Sequence, residues 1–330
     1  MSKKSPLNNF FPVILAALTI GFVGCRNQAV STTFTQTNTQ VNENLPRVVA
    51  TTSVLCDLTK QVAGNTVNLT CLISPTADPQ FYKPKPEDRK AIEQANLILY
   101  NGYNFEPNLI KLIKATKNPT PKIAVAQLAV PKPQKFQAGG KNITDPHVWH
   151  NTKNTIRMVE VINSNLRKLQ SSDAEAYSSN TKKITNELTQ LDSWIKSRIA
   201  SIPTKERKLV TTSDALSYYA KAYRILLAGG LQSINTKEKL TAERVNNLAT
   251  NIKRTKVSTI FAEVEINPNL IQSIAREAEV DISDRKLYVE GLGEPGSDAD
   301  TYQKMMIANT RTIVEGLGGT YLMFERKAAK

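Results

Sequence analysis

One long helical stretch, set between two runs of alternating strand and helix patterns, constrains the fold more than any other feature. Over positions 172–202, Tyr177, Ile184, Leu188, Leu191, Ile195 and Ile199 recur at helical spacing. Ser172 and Glu175 read as a capping-box pair at its start, and Pro203 marks its stop. Such a helix is about 45 Å long at 1.5 Å per residue. It is long enough to run from one lobe into another as a stiff spine.

Before the spine, residues 47–52 read as a strand. Ser53 can cap a helix with Val54, Leu58 and Val62 on one face, and Gly64 ends it. A strand follows over 67–73, and Pro86 suits the first turn of a helix reaching Ala95. Short strands are expected at 97–100 and 123–125. The stretch 151–170 is amphipathic, with Ile156, Val159, Ile162, Leu166 and Leu169 on its apolar stripe. After the spine, strands at 208–212, 223–228, 259–262 and near 285–288 alternate with helices at 215–222, 242–255 and 267–278. A last helix, capped by Ser297, ends at Gly318-Gly319. Repeated alternation means parallel sheets covered by helices. The expected class is therefore α/β, with two pseudo-symmetric lobes, each a parallel β-sheet covered by helices. One long rigid helix joins them, and a ligand cleft lies between the lobes beyond the carboxyl ends of the strands. The expected boundaries are 47–171 for the N-terminal lobe, 172–202 for the linking helix and 203–330 for the C-terminal lobe. The 284 residues after position 46 exceed the usual size of one domain.

The N-terminus has the order of an export signal: Lys3 and Lys4, an apolar run over 10–23, then Gly24-Cys25. Residues 1–24 are expected to be the signal peptide. The cysteine after Phe22-Val23-Gly24 resembles a bacterial lipobox, in which Cys25 is lipidated after cleavage. An ordinary signal peptide beside a chance cysteine is the alternative. Residues 26–46 are rich in Gln, Thr, Asn and Ser and cannot form a core. With Cys25 they read as a lipidated, disordered tether over 25–46 with a reach of about 25 Å. Without residues 1–24 the chain keeps 41 basic and 29 acidic residues, a net charge of +12. Export argues against nucleic acid as the partner of that charge, and attraction to anionic headgroups is the simpler consequence. Export also places Cys56 and Cys71 in an oxidising compartment, where an isolated pair tends to bridge. The expected bridge would contribute roughly 3 kcal/mol in the chain-entropy picture. Two buried free thiols are the alternative.

Four loop segments carry the chemistry: 78-DPQFYKPKPED-88, 145-DPHVWHN-151, 211-TTSDALSYYAKAY-223 and 287-LYVEGLGEPGSDADTY-302. Their order and content resemble the zinc- and manganese-binding solute-binding lipoproteins of ABC importers, the cluster A-I family. The resemblance covers nearly all of residues 47–320. It implies a metal held by one residue from each segment: Gln80 where the family has histidine, His147 in place, Ser213 where it has histidine or glutamate, and Glu290 where it has aspartate. One imidazole, one carboxylate, one amide and one hydroxyl form a harder and less charged set than zinc favours. Preference shifts toward manganese, magnesium or calcium. Affinity falls by several orders of magnitude unless something compensates. Asp214, His150 and Glu263 are the candidates for that role. Each has a plainer reading: a helix N-terminal residue for Asp214, a packing residue for His150, and a supporting or solvated carboxylate for Glu263. The basic stretch 131-PKPQKFQAGGKN-142 holds no histidine-rich loop and would repel a cation.

The resemblance implies a monomeric protein outside the cell, lipid-anchored at the outer face of the bacterial cytoplasmic membrane. It would carry zinc or manganese to an ABC permease. A metal-free paralogue acting as an adhesin-like or regulatory surface lipoprotein is the alternative. An enzyme is not expected: Ser213, His147 and Glu290 invite a Ser-His-acid reading, but Ser213 lies in Thr-Thr-Ser-Asp-Ala and not in a nucleophile elbow.

Overall fold

The computed structural model describes residues 44–138, 141–228 and 241–327. The expected signal peptide, the lipidation site Cys25 and nearly all of the tether lie outside the described residues. No helix among the described residues is long and apolar enough to cross a membrane.

The N-terminal sheet is fully parallel. β1 (Arg47–Ala50), β2 (Asn68–Cys71), β3 (Leu97–Tyr100) and β4 (Lys122–Ala124) lie in the order β2-β1-β3-β4. Val48, Val49, Leu97, Ile98 and Leu99 are fully buried, as expected of strands covered on both faces. The connecting helices are α1 (Ser53–Ala63), α2 (Pro86–Gln94), α3 (Pro107–Ala115) and α4 (Val125–Ala129). Val125, expected on a strand, already belongs to α4. An antiparallel hairpin of β5 (Lys135–Ala138) and β6 (Lys141–Thr144) leads into α5 (Thr152–Leu169) and α6 (Ala174–Ala200).

The C-terminal half repeats the plan with shorter strands. β7 (Lys208–Leu209) pairs with β8 (Leu226–Leu227), and β9 (Thr259–Ile260) pairs with β10 (Asp281–Ile282), all parallel. A parallel bridge from Thr211 to Phe261 joins the two pairs, and another from Glu263 to Leu287 prolongs the second. The order β8-β7-β9-β10 is that of the N-terminal sheet. The helices are α7 (Ser217–Tyr223), α8 (Ala242–Thr255), α9 (Pro268–Ala278) and α10 (Tyr302–Gly316).

The spine, α6, is 27 residues long, about 40 Å. Tyr177, Ile184, Leu188, Leu191, Ile195 and Ile199 are buried along it as their spacing predicts. It packs against α1 and α5 of the N-terminal half and α7 and α10 of the C-terminal half, so a single rod contacts both lobes. Cys56 on α1 and Cys71 on β2 are joined as a disulfide with their Cα atoms 5.6 Å apart.

Three caps differ from expectation, each for a local reason. The cap of α1 is Thr52, whose Oγ1 accepts the Leu55 N–H. Ser53 instead reaches across the molecule and accepts the Leu292 N–H at 3.0 Å. Ser172 lies in a 3-10 turn and donates to Asp173, so its pairing with Glu175 as a capping box does not form. α10 is capped by Thr301, while Ser297 closes an earlier turn by accepting the Ala299 N–H. Two strand positions also move. Tyr223 ends α7, and Arg224 takes a left-handed conformation before β8. The strand expected near 285–288 is Asp281–Ile282, with Leu287 contributing only a bridge.

Candidate metal centre

Every candidate ligand lies on a loop past the carboxyl end of a strand, where α/β folds bind ligands. Gln80 sits in the 3-10 turn Pro79–Phe81 between β2 and α2. Asp78 begins that turn by accepting the Gln80 N–H at 2.9 Å. His147 follows β6, where Asp145 accepts its backbone N–H at 2.9 Å and its ring Nδ1–H at 2.8 Å. With Nδ1 so occupied, Nε2 is the atom left to face the cleft. It lies 3.4 Å from Glu290 Oε2. Gln80 Nε2 donates to the same oxygen at 3.4 Å. Three of the four expected ligands, from both halves of the chain, therefore meet at one carboxylate oxygen. Ser213 is drawn elsewhere and donates to Glu263 Oε1 at 2.8 Å.

The surroundings of His147 are buried and crowded. His147, Asp145, Glu263 and Glu290 are buried, while Gln80 is exposed. The Phe105 and Trp149 rings stand 5.3 and 5.4 Å from the imidazole. Burial alone would depress its pKa, but the Glu290 charge and the hydrogen bonds to Asp145 and Glu290 outweigh it and raise it to about 10. Burial likewise acts to raise Asp145 and Glu290, and their contacts with His147 win and hold both below the usual carboxylate range. Glu263 has no such counter-ion: burial, with the Glu290 charge adding to it, pushes it up to about 7.

The other candidates are placed as follows. His150 is fully buried and its Nε2 donates to the Val289 carbonyl at 2.8 Å, tying the His147 loop to the segment that carries Glu290. Burial pushes it down to about 4, so it is neutral at pH 7. Its ring centroid lies 6.5 Å from that of His147. Asp214 is half-buried, and its backbone carbonyl accepts the Ser217 N–H at the entry to α7. Ser213 bonds Glu263 while both His147 nitrogens bond carboxylates, so no serine–histidine pair forms. Among the described residues no three His, Cys, Asp or Glu side chains group as a metal site. The meeting point of Gln80, His147 and Glu290 has two of those types and one amide.

Three residues escaped the sequence reading. Asp145 positions His147 and is itself held by the Ser217 hydroxyl. Its signal was the spacing of two residues before the histidine, which suits a side chain that closes a turn on its own backbone. Ser217 had no signal in the sequence. Glu265 is raised to about 8 by burial, with Glu290, Glu263 and Asp78 contributing as neighbouring charges. The alternation Glu263-Val264-Glu265 after a strand is the pattern that places two side chains on one face.

The family model that describes the zinc-uptake complex component A, periplasmic, matches residues 48–316. Among curated relatives, the metal ABC transporter substrate-binding lipoprotein ScbA of Streptococcus cristatus is 30% identical over 313 residues, 93% of this chain and 98% of its own length. The manganese ABC transporter substrate-binding lipoprotein PsaA of Streptococcus mitis is 31% identical over 278 residues, 82% of this chain and 89% of its own. Among solved structures, the periplasmic zinc-binding protein TroA of Treponema pallidum superposes with a TM-score of 0.75 at 27% identity, covering 83% of this chain and 99% of its own.

Proposed function

The chain belongs to the family of the periplasmic zinc-uptake complex component A, and from that premise we propose that it is the solute-binding component of an ABC importer for a divalent metal, zinc or manganese. It captures the ion between its lobes and delivers it to a membrane permease. The observation that carries this reading is the convergence of His147 Nε2 and the Gln80 amide on Glu290 Oε2, both at 3.4 Å. A cation entering there replaces the His147 proton and keeps Glu290 as its counter-charge. Asp145 holds the imidazole in the tautomer that presents Nε2, as partners of metal-bound histidines do. Gln80 ligates through its amide oxygen after its side chain turns over.

With one imidazole and otherwise oxygen donors, the site is harder than zinc prefers, and manganese is the better match. The departures at Gln80, Ser213 and Glu290 weaken the site. Glu263, at the hydroxyl of Ser213, supplies a carboxylate where the family's usual ligand is missing. The chain is organised as signal (1–24), lipidated tether (25–46), N-terminal lobe (47–171), linking helix (172–202) and C-terminal lobe (203–330). Cys25 anchors the protein outside the cytoplasmic membrane, where it works as a monomer.

Calorimetric titration of the metal-stripped full chain carrying Cys25→Ser, with zinc and with manganese, tests this. Saturable binding at micromolar affinity or tighter, lost in His147→Ala, is expected. Absence of binding for both ions would remove the transport reading and leave a family member that has given up its ligand.

A further inference from the structure

A second concavity lies away from the metal cleft, where the end of the spine meets the C-terminal sheet. It is a half-open hollow of about 520 Å³ lined by Lys196, Ile199 and Ala200 of α6, Arg207 ahead of β7, and Ala222, Tyr223 and Arg224 at the end of α7. Three of the seven are cations. Among the described residues the one carboxylate bonded to any of them is Asp192, 2.5 Å from Lys196 Nζ, and it also accepts from Thr152. Arg207 is anchored through two donors: Nε–H to the Ile202 carbonyl at 2.9 Å and Nη2 to the Ala200 carbonyl at 2.8 Å. These contacts offset the negative end of the spine and fix the guanidinium plane, leaving its other N–H groups uncommitted. Arg224 is exposed and has no partner among the described residues. Ile199, Ala200 and Ala222 give the cavity an apolar side, and the Tyr223 hydroxyl is already paired with Thr152 at 3.1 Å.

We propose that this cavity binds a phosphate ester. Fixed guanidinium forks recognise phosphate oxygens in pairs. The cations exceed the one bonded carboxylate by two, which suits a dianion better than a singly charged carboxylate. The volume lies in the range of small-molecule sites and exceeds what a bare phosphate fills, and the apolar side accepts a short organic group. A soluble ester and a phospholipid headgroup share this chemistry. The site stands apart from metal capture. Its link to the cleft is α7, which carries Ser217 against Asp145 at one end and Tyr223 in the cavity wall at the other.

The test is calorimetric titration of the full chain carrying Cys25→Ser with glycerol 3-phosphate, beside flotation with vesicles of phosphatidylglycerol and of phosphatidylcholine. Saturable one-to-one binding of glycerol 3-phosphate is expected, weakened about tenfold or more in Arg224→Glu by loss of a charge-assisted hydrogen bond. Arg224→Lys, which keeps the charge without the fork, should fall between. Binding to phosphatidylglycerol vesicles alone, lost in Arg224→Glu, would assign the site to a lipid headgroup. Failure of both probes, or equal binding by Arg224→Glu with its circular dichroism unchanged, would overturn the proposal.

Discussion

The two walls of the candidate metal cleft are built on opposite principles. On the N-terminal wall His147 and the groups that hold it are fixed by a chain of partners. Asp145 holds His147 at two atoms, Ser217 holds Asp145, and Phe105 and Trp149 pack on the imidazole. Behind them the Asn101 amide donates to the Pro146 carbonyl at 3.2 Å. Buried Glu106 in turn accepts the Asn101 N–H at 2.6 Å and the Thr51 hydroxyl at 2.8 Å. On the C-terminal wall the Glu290 charge raises Glu263, and Glu290 and Glu263 raise Glu265, while Glu290 itself is held down by His147. One wall is organised before an ion arrives. The other holds two carboxyls, raised to about 7 and about 8, whose protons an arriving cation would displace. Affinity in such a site would come from both: preorganisation on one side and proton displacement on the other.

Single substitutions on the two walls separate their contributions to metal affinity. His147→Ala removes the one imidazole and should weaken binding by more than about 100-fold, since even its supporting partners are worth 10–100-fold. Asp145→Asn leaves the imidazole in place with an accepting oxygen but without the anchor's charge. It should cost about 10–100-fold in the same titration, and an equal affinity would show that the N-terminal wall is not preorganised by this contact. Glu263→Gln should cost about tenfold, roughly one charge-assisted contact. Unchanged binding in this variant would mean that Glu263 takes no part in holding the ion and serves only Ser213.

The pH dependence sharpens the same contrast. His147 must lose a proton to bind metal, and its pKa is raised to about 10 against burial by Glu290 and Asp145. Apparent affinity should therefore climb with pH, by about tenfold per unit for one displaced proton, and level off near 10. The raised value also stabilises the metal-free fold. That contribution is fully present below the unfolded histidine value near 6.5 and is lost as pH rises through about 10. The smallest effect on affinity is expected from Glu106→Gln, which touches no ligand. Its consequence is in stability. Burial, partly offset by its hydrogen bonds, raises Glu106 to about 7 from 4.5. The folded form therefore holds its proton more tightly, and stability falls as pH rises between those values. Chemical denaturation of Glu106→Gln at pH 4.5 and 7.5 should lack that slope, which is on the order of 3 kcal/mol.

Much of this was legible in the sequence, for reasons of periodicity. The apolar spacing from Tyr177 to Ile199 gave the spine, and Val54, Leu58 and Val62 gave α1, because long amphipathic helices repeat one signal many times. Strands of two residues, such as β7 and β10, carry too few side chains to show alternation, and one of them was expected four residues too late. Caps failed where tertiary structure claimed the residue: Ser53 would cap α1, but it is taken up by the Leu292 N–H. In the cleft, His147, Gln80 and Glu290 are the residues that the sequence singles out, because each sits at a fixed place in a motif. Ser217 and Glu106 are not, because their roles are hydrogen bonds across 72 residues and 55 residues of chain, which no local pattern records. His150 shows the converse. Three residues from His147, it attracts a ligand reading, yet its Nε2 is bonded to a backbone carbonyl.

The central claim is that one imidazole and a set of oxygen donors hold the ion. The metal-edge X-ray absorption spectrum of the manganese-loaded full chain carrying Cys25→Ser reads that set directly. Outer-shell scattering from a single imidazole over an oxygen first shell is the expected result, and Asp145→Asn should blur the imidazole signal without changing its count. Two imidazoles, which would require His150 to leave Val289, or none at all, would contradict the account.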